Sequence, residues 1–562
     1  MADLRARAEA WLADDPDPAS RAELRTLINE LPATEAELAD RFSGPLHFGT
    51  AGLRGRLRAG PNGMNRAVVR AAAAGLVRWL DARGAPGPVV IGYDARHGSR
   101  QFAEETARVT SGAGRRALLL HRPLPTPVLA YAVRALEAVA GVMVTASHNP
   151  PADNGYKVYL GAALGDPKGT GAQIVTPADA EISAAIAAVG RLADVPLGDV
   201  PVDEVLTDAV VDNYLNRAAV VVSATTPRAL KVAYTPLHGV GGGLLRDLLA
   251  RAGFAHPAVV PEQADPDPDF PTLPFPNPEE PGAMDRVIRL AGKTGADLAI
   301  ANDPDADRCA VAVPDQTGGH DSSGWRVLRG DELGVLLADH LIRRGTTGMF
   351  VTTIVSSSLL RSLCAARGVP YGETLTGFKW IVRATAEADP DDPPLAYGYE
   401  EAIGYCVAPD QVRDKDGMTA ALLVCELAAS LKAAGRGLSD RLDELAREFG
   451  VYATDQLSVR VADLARIPEM LARLRERPPR TLLGQPVDEV RDLLPATDAV
   501  LVRTPAARMV VRPSGTEPKL KAYLEVIEPV TGGDVRQARV RAAAGLAALR
   551  GETAAALGVA SG

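Results

Sequence analysis

The chain has 562 residues, 46% of them hydrophobic and 23% charged, and a formal net charge of −9. That length exceeds a single core and predicts about three to four domains. The composition excludes wholesale disorder, and the negative balance leaves no footprint for nucleic acid or a membrane surface.

Cys309, Cys364, Cys406 and Cys425 form no CxxC pair, and the eight histidines form no HExxH. Neither a disulfide framework nor a zinc site is expected. The opening MADLRARAEAWLADD carries early acids and no long apolar core, so it does not read as a signal peptide. No run of about 18 apolar residues occurs. The expectation is a cytoplasmic enzyme with no nucleic-acid or membrane partner.

In chain order, PVVIGYD ends at Asp94, RALLLH at His121 and GVMVTAS at Ser147. A second series holds KVAYTPLHG, around Tyr234, and ADLAIANDPD. A third holds MFVTTIVSSS, from Met349, and LAYGYEEAIG. Short β-rich runs spaced by Ala- and Leu-rich helical segments predict parallel α/β units. Ligands gather at the carboxyl ends of strands in such sheets, and the polar clusters fall at those ends. Loop-like stretches run from Arg191 to Glu204 and from Asp315 to Gly324. The tail differs: QLSVRV and ARMVVRPSGTEPKLKAYLEV alternate apolar and polar residues, as half-buried antiparallel strands do. The fold class is therefore α/β, with three α/β mixed-sheet domains at 1–205, 206–322 and 323–450 and a smaller C-terminal α+β domain at 451–562.

Four constellations carry chemistry. VTASHNPPADNG ends a strand with Ser147 and His148 side by side on a turn stiffened by Pro150 and Pro151. A serine nucleophile needs a base or an electrophile. GxSxG and SxxK are both absent, so a self-bonded polar turn competes with a nucleophile. NDPDADR alternates Asp303, Asp305 and Asp307 after an apolar strand. Alternate side chains of extended chain share a face, ~6–7 Å apart at Cα, and a modest bend lets three carboxylates converge on one hard cation. An EF-hand is excluded by Arg308 and Pro314 where glycine and glutamate belong. The DPDPD run at Asp265 to Asp269 has the same spacing, but no strand leads into it, and it reads as a solvated acidic loop.

In GYEEAIGY, Glu400 and Glu401 close an apolar strand before a glycine that permits a tight turn. Paired carboxylates can accept hydrogen bonds from vicinal sugar hydroxyls, although an ordinary strand-end turn reads the same way. RPSGTEPKLK gathers Arg512, Ser514, Gly515, Thr516 and Lys521, cations and donors suited to a phosphate dianion. AGKT lacks the upstream glycine of a P-loop, since that position is Val287. Together the four supply a serine nucleophile, a divalent-metal cage, a hydroxyl reader and a phosphate holder, a set that suits phosphoryl transfer on a phosphorylated polyol.

On these motifs the chain resembles the α-D-phosphohexomutase superfamily, the phosphoglucomutases and phosphomannomutases, along nearly its whole length. TASHNP is similar to the phosphoserine loop, with Ser147 as phosphoryl carrier. DPDADR is similar to the magnesium loop, with Asp303, Asp305, Asp307 and Ser147 as ligands and Arg308 adjoining. GYEEAIGY resembles the sugar-binding loop, and RPSGTEPKLK the phosphate loop of a mobile fourth domain. FGTAGLRG resembles the opening segment, which implies that Arg54 approaches the reacting phosphate. NGYK supplies Lys157 as an acid–base candidate beside His148. TGFKW resembles a specificity loop, with Thr376, Gly377 and Lys379 on the substrate.

There are departures: Ala402 stands where a serine is common, and Lys521 where arginine is common. YEEAIGY, TLTGFKW and YTPLHGVGG look more like the branch with phosphopentomutase-type and some bacterial phosphoglucomutases. The resemblance implies domains around a central cleft and a reversible mutase acting on a sugar 1-phosphate and 6-phosphate, glucose first. It also implies Mg2+ and a sugar bisphosphate primer of the glucose 1,6-bisphosphate type. Pentose or mannose phosphates are alternative substrates. A metal-dependent sugar phosphatase and a non-turnover sensor are alternative classes.

Overall fold

The fold is described from a computed structural model covering residues 2–46, 52–164, 166–199, 205–314, 324–385, 393–461, 463, 465–514 and 519–559. Gly515, Thr516 and most of the Asp315–Gly324 loop lie outside the described residues. The chain divides into two compact units, Met1–Leu328 with Gly404–Ser430, and Arg329–Ile403 with Leu431–Gly562.

The first unit opens with helices Ala2–Asp14, Pro18–Asn29 and Glu35–Arg41. Pro18 sits at the first helical turn, and the Asp17 carboxylate accepts the Ser20 amide, so the second helix starts where free amides need a cap. These helices close a small core of Ala8, Leu24, Leu27, Ile28, Leu38 and Phe42 with Ala59.

The first sheet orders its strands Leu53–Arg56, Asp153–Leu160, Ala140–Val144, Val89–Tyr93, Ala117–Leu120 and Val205–Leu206. Val89–Tyr93 and Ala140–Val144 run parallel and are buried throughout, as expected of strands covered on both faces. Asp153–Leu160 returns antiparallel to Ala140–Val144, with Met143 opposite Lys157. That register sets Lys157 beside the strand end that leads to Ser147.

The second sheet orders Trp325–Val327, Cys309–Pro314, Leu298–Asn302, Val232–Thr235 and Ala258–Val259. The aspartate loop lies between Leu298–Asn302 and its antiparallel neighbour Cys309–Pro314. It is a turn rather than extended chain, with Ala306 at φ +54°. The convergence expected from a modest bend is thus produced by a full reversal.

In the second unit, Tyr371–Thr374, Met349–Thr353 and Leu395–Glu400 run parallel. The C-terminal sheet is antiparallel, in the order Val451–Arg460, Lys519–Glu528, Ala507–Pro513, Val500–Arg503 and Glu489–Asp492. Ile354 and Val355 pack against Leu501, Val510 and Tyr523, joining these two sheets within the unit. The turn after Glu400 takes its left-handed residue at Ile403, φ +52°, not at the glycine that follows.

Candidate active site

Ser147 follows the buried strand Ala140–Val144 and is only 3% exposed. Its φ is +51°, in the left-handed region that costs a non-glycine residue roughly 1–3 kcal/mol. Its amide donates to Thr145 Oγ1 at 2.9 Å, and its hydroxyl donates to Asp303 Oδ2 at 2.7 Å. His148 Nδ1 lies 3.4 Å from the same hydroxyl and 3.8 Å from Asp303 Oδ2.

Asp303, Asp305 and Asp307 are all buried, each with a carboxylate oxygen within 4.8 Å of the others'. Both oxygens of Asp303, but only one each of Asp305 and Asp307, accept hydrogen bonds from the described residues. Asp303 Oδ1 accepts the Arg308 amide at 3.0 Å. Asp305 Oδ2 accepts from Thr126 Oγ1 at 2.6 Å and Lys157 Nζ at 2.9 Å. Asp307 Oδ2 accepts from Lys157 Nζ at 3.2 Å and lies 3.3 Å from Lys415 Nζ. Asp305 Oδ1 and Asp307 Oδ1 are buried with no hydrogen-bond partner among the described residues. Two unpartnered anionic oxygens beside a third carboxylate fit a hard divalent cation with oxygen ligands.

The electrostatics follow from this crowding. Burial, then Asp305 and Asp307, pushes the Asp303 carboxyl well above the usual carboxylate range. Burial opposes ionisation of Asp305 too, but Lys157 and the Thr126 hydrogen bond outweigh it and hold that carboxyl low. Burial alone would lower the Lys157 ammonium, yet Asp305 and Asp307 hold it above the ordinary lysine value. His148 is pushed well below the usual histidine range by burial, then by Arg308 and Arg54, so its imidazole is neutral. Arg54 sits opposite Gly155 in the sheet and donates to Asn149 Oδ1 at 3.0 Å. Arg308 Nε lies 3.7 Å from Asp307 Oδ1.

Ser147, His148, Lys157, Arg54, the three aspartates and Arg308 therefore form one cluster in the first unit. The remaining candidates belong to the second unit. Glu401 Oε2 accepts from Ser356 Oγ at 3.1 Å and Thr353 Oγ1 at 3.3 Å, and Glu400 ends the adjoining strand. Arg512 pairs in register with Lys521, and the Ser514 amide donates to Lys519 O at 2.8 Å. Tyr523, raised above the ordinary tyrosine value by burial, interacts with Glu401, Arg512 and Glu400 and so links the two loops. Thr376 precedes Gly377, which takes φ +110° before the short helix Phe378–Ile381, and Lys379 is 6% exposed in that helix.

Several residues of the cluster escape sequence reasoning. Thr126 opens the helix Thr126–Ala135 after the PLP run Pro123–Pro125, and its amide also donates to Asp305 O at 3.0 Å. Asp414 is buried under Tyr159 Oη at 2.8 Å and Gln173 Nε2 at 2.8 Å, with Lys415 Nζ 3.3 Å away. The alternating charges of RDKDG, Arg413 to Gly417, were the available signal. Arg96, in GYDARHG, lies beneath the serine loop.

Four phosphoglucomutase/phosphomannomutase family descriptions match in order: α/β/α domain I at residues 45–189, domain II at 211–318, domain III at 329–449 and the C-terminal domain at 458–542. A Haemophilus influenzae protein named probable phosphomannomutase is 45% identical over 82% of this chain and 93% of its own length. A human phosphopentomutase is 33% identical over 94% and 92%. A Staphylococcus aureus phosphoglucomutase is 32% identical over 88% and 92%. The chain belongs to the phosphoglucomutase/phosphomannomutase family of the α-D-phosphohexomutase superfamily.

Proposed function

We propose that the chain is a reversible sugar-phosphate mutase that interconverts glucose 1-phosphate and glucose 6-phosphate through a phosphorylated Ser147. The observation that carries this reading is the 2.7 Å contact between Ser147 Oγ and Asp303 Oδ2 inside a buried three-aspartate cluster. A purely binding protein needs neither the serine nor the cluster.

In the forward half-reaction the phosphorus–Oγ bond of phosphoserine breaks and a bond to a sugar hydroxyl forms. The sugar bisphosphate then returns its other phosphoryl group to Ser147. Asp303, Asp305 and Asp307, with a Ser147 phosphoryl oxygen, would hold Mg2+, which when bound neutralises charge on the transferring group. Arg54 and Arg308 add positive charge where it develops in the transition state. Lys157 and His148 carry the hydroxyl proton between the sugar and the enzyme. Glu400, Glu401, Thr376, Gly377 and Lys379 are assigned to the sugar, and Arg512, Ser514, Gly515, Thr516 and Lys521 to the non-reacting phosphate. An unphosphorylated Ser147 has nothing to transfer, so a bisphosphate primer starts the cycle.

A second reading, mannose phosphates, is favoured by the 45% identity to the Haemophilus influenzae protein. Initial rates on glucose, mannose and ribose 1-phosphates, with phosphate release followed in parallel, test both. Isomerisation of glucose 1-phosphate with little free phosphate supports the proposal. A clear preference for mannose or ribose overturns the sugar assignment, and steady phosphate release overturns the mutase in favour of a phosphatase.

A further inference from the structure

The loop that carries Ser147 lacks the regular hydrogen bonds of helix or sheet, so its carbonyls need other donors. One side chain supplies several of them. Arg96 Nη2 donates to Ser147 O at 2.6 Å and Asn149 O at 2.5 Å, and Nη1 donates to Pro150 O at 2.8 Å and Asp153 O at 3.1 Å. Arg96 is 4% exposed. Its Nε lies 3.4 Å from Asp94 Oδ2, and Asp94 Oδ1 accepts the Arg96 amide at 3.0 Å and Ser99 Oγ at 2.6 Å. The Asp94 amide in turn donates to Val144 O at 3.1 Å, at the end of the strand that leads to Ser147. On its face, Arg96 Cζ lies 4.9 Å from the centre of the buried Phe270 ring. Phe270 follows the DPDPD run, which thereby has a structural use beyond a solvated loop.

We propose that Arg96 is a positioning residue for phosphoryl transfer: its guanidinium fork gathers four carbonyls of the 147–153 loop and holds Ser147 in its left-handed conformation, hydroxyl toward Asp303. Only a planar fork with several fixed donors can do this; a lysine keeps the charge but presents one compact ammonium. Pro150 and Pro151 stiffen the loop locally, and Arg96 fixes it to the adjoining strand. The inference rests on the reading of Ser147 as phosphoryl carrier, but its geometric half does not.

Two measurements on the full-length Arg96→Lys enzyme separate these. The first is amide hydrogen exchange, which needs no turnover. Segment 146–153 should exchange about 10-fold faster than in the parent, while the strand Val89–Tyr93 is unchanged. The second is kinetic. Turnover number should fall about 100-fold with KM for the sugar phosphate held within about 2-fold. In Arg96→Ala, free guanidinium should restore part of the loss, and it should restore nothing in Ser147→Ala. Unchanged exchange at 146–153, parental turnover in Arg96→Lys, or a loss confined to KM overturns the proposal. Failure of the parent enzyme to turn over overturns the mutase reading instead, and the exchange result still decides the clamp.

Discussion

Thr126 Oγ1 donates to Asp305 Oδ2 across 2.6 Å, between residues 179 positions apart in the chain. With Lys157 on the same oxygen, the contact saturates Oδ2, while Oδ1 has no hydrogen-bond partner among the described residues. A helix start in the serine-bearing domain thus orients a carboxylate of the aspartate loop. Hydrogen bonds to charged groups contribute roughly 1.5–3 kcal/mol. Thr126→Val should therefore weaken Mg2+ binding by about 10-fold or more, measured by titration calorimetry on the unphosphorylated protein. Thr126→Ser should restore most of the affinity. Equal affinity in Thr126→Val and the parent would show that the bond does not orient the ligand.

Lys157 is the nearest fixed cation to two of the aspartates, at 2.9 Å from Asp305 and 3.2 Å from Asp307. Breaking such a buried pair by removing one partner costs roughly 3–5 kcal/mol. Lys157→Met should lower the denaturant midpoint of the first unit, and added Mg2+ should recover more stability in the variant than in the parent. An unchanged midpoint would contradict the pairing.

Asp331 is buried, accepts the Ser357 amide at 2.7 Å and interacts with the nearby Glu401 and Glu525. Burial pushes its carboxyl from the ordinary 3.8 up to about 7. The folded state therefore favours the protonated form. Its contribution to stability is complete below the unfolded value and is lost as pH rises through the folded one. Between pH 5 and 8 the second unit should lose roughly 1–4 kcal/mol from this group. Asp331→Asn should flatten the loss across that window in thermal melts. A parallel pH slope in parent and variant would exclude Asp331 as its source.

The parts legible in the sequence are those with a local signal. Val89–Tyr93 and Ala140–Val144 are short apolar runs that mark the α/β region directly, whereas Ala507–Pro513 is buried from Ala507 to Val511 and matches the expected half-buried strands only in its antiparallel pairing. Ser147 and the three aspartates stood out because polar residues crowd at strand ends. The contacts between them did not, because Ser147 and Asp303 meet only through packing of two separate sheets. Thr126 and Arg96 carry no local mark of their roles, since a threonine at a helix start and an arginine in a turn are ordinary, whereas Asp414 has only the alternating charges of RDKDG. The Asp265–Asp269 run reads as a solvated loop because no strand leads into it, and nothing in that pattern announces that Phe270 covers Arg96. The left-handed positions Ser147, Ala306 and Ile403 were equally silent, since none is a glycine.

The proposed cycle requires Ser147 to carry the phosphoryl group. Its most direct test is the intact and peptide mass of the protein after incubation with glucose 1,6-bisphosphate and Mg2+. A single phosphate is expected on the peptide containing Ser147, discharged by glucose 6-phosphate and absent in Ser147→Ala. An unmodified Ser147 after that incubation, or a phosphate elsewhere that glucose 6-phosphate does not remove, would contradict it.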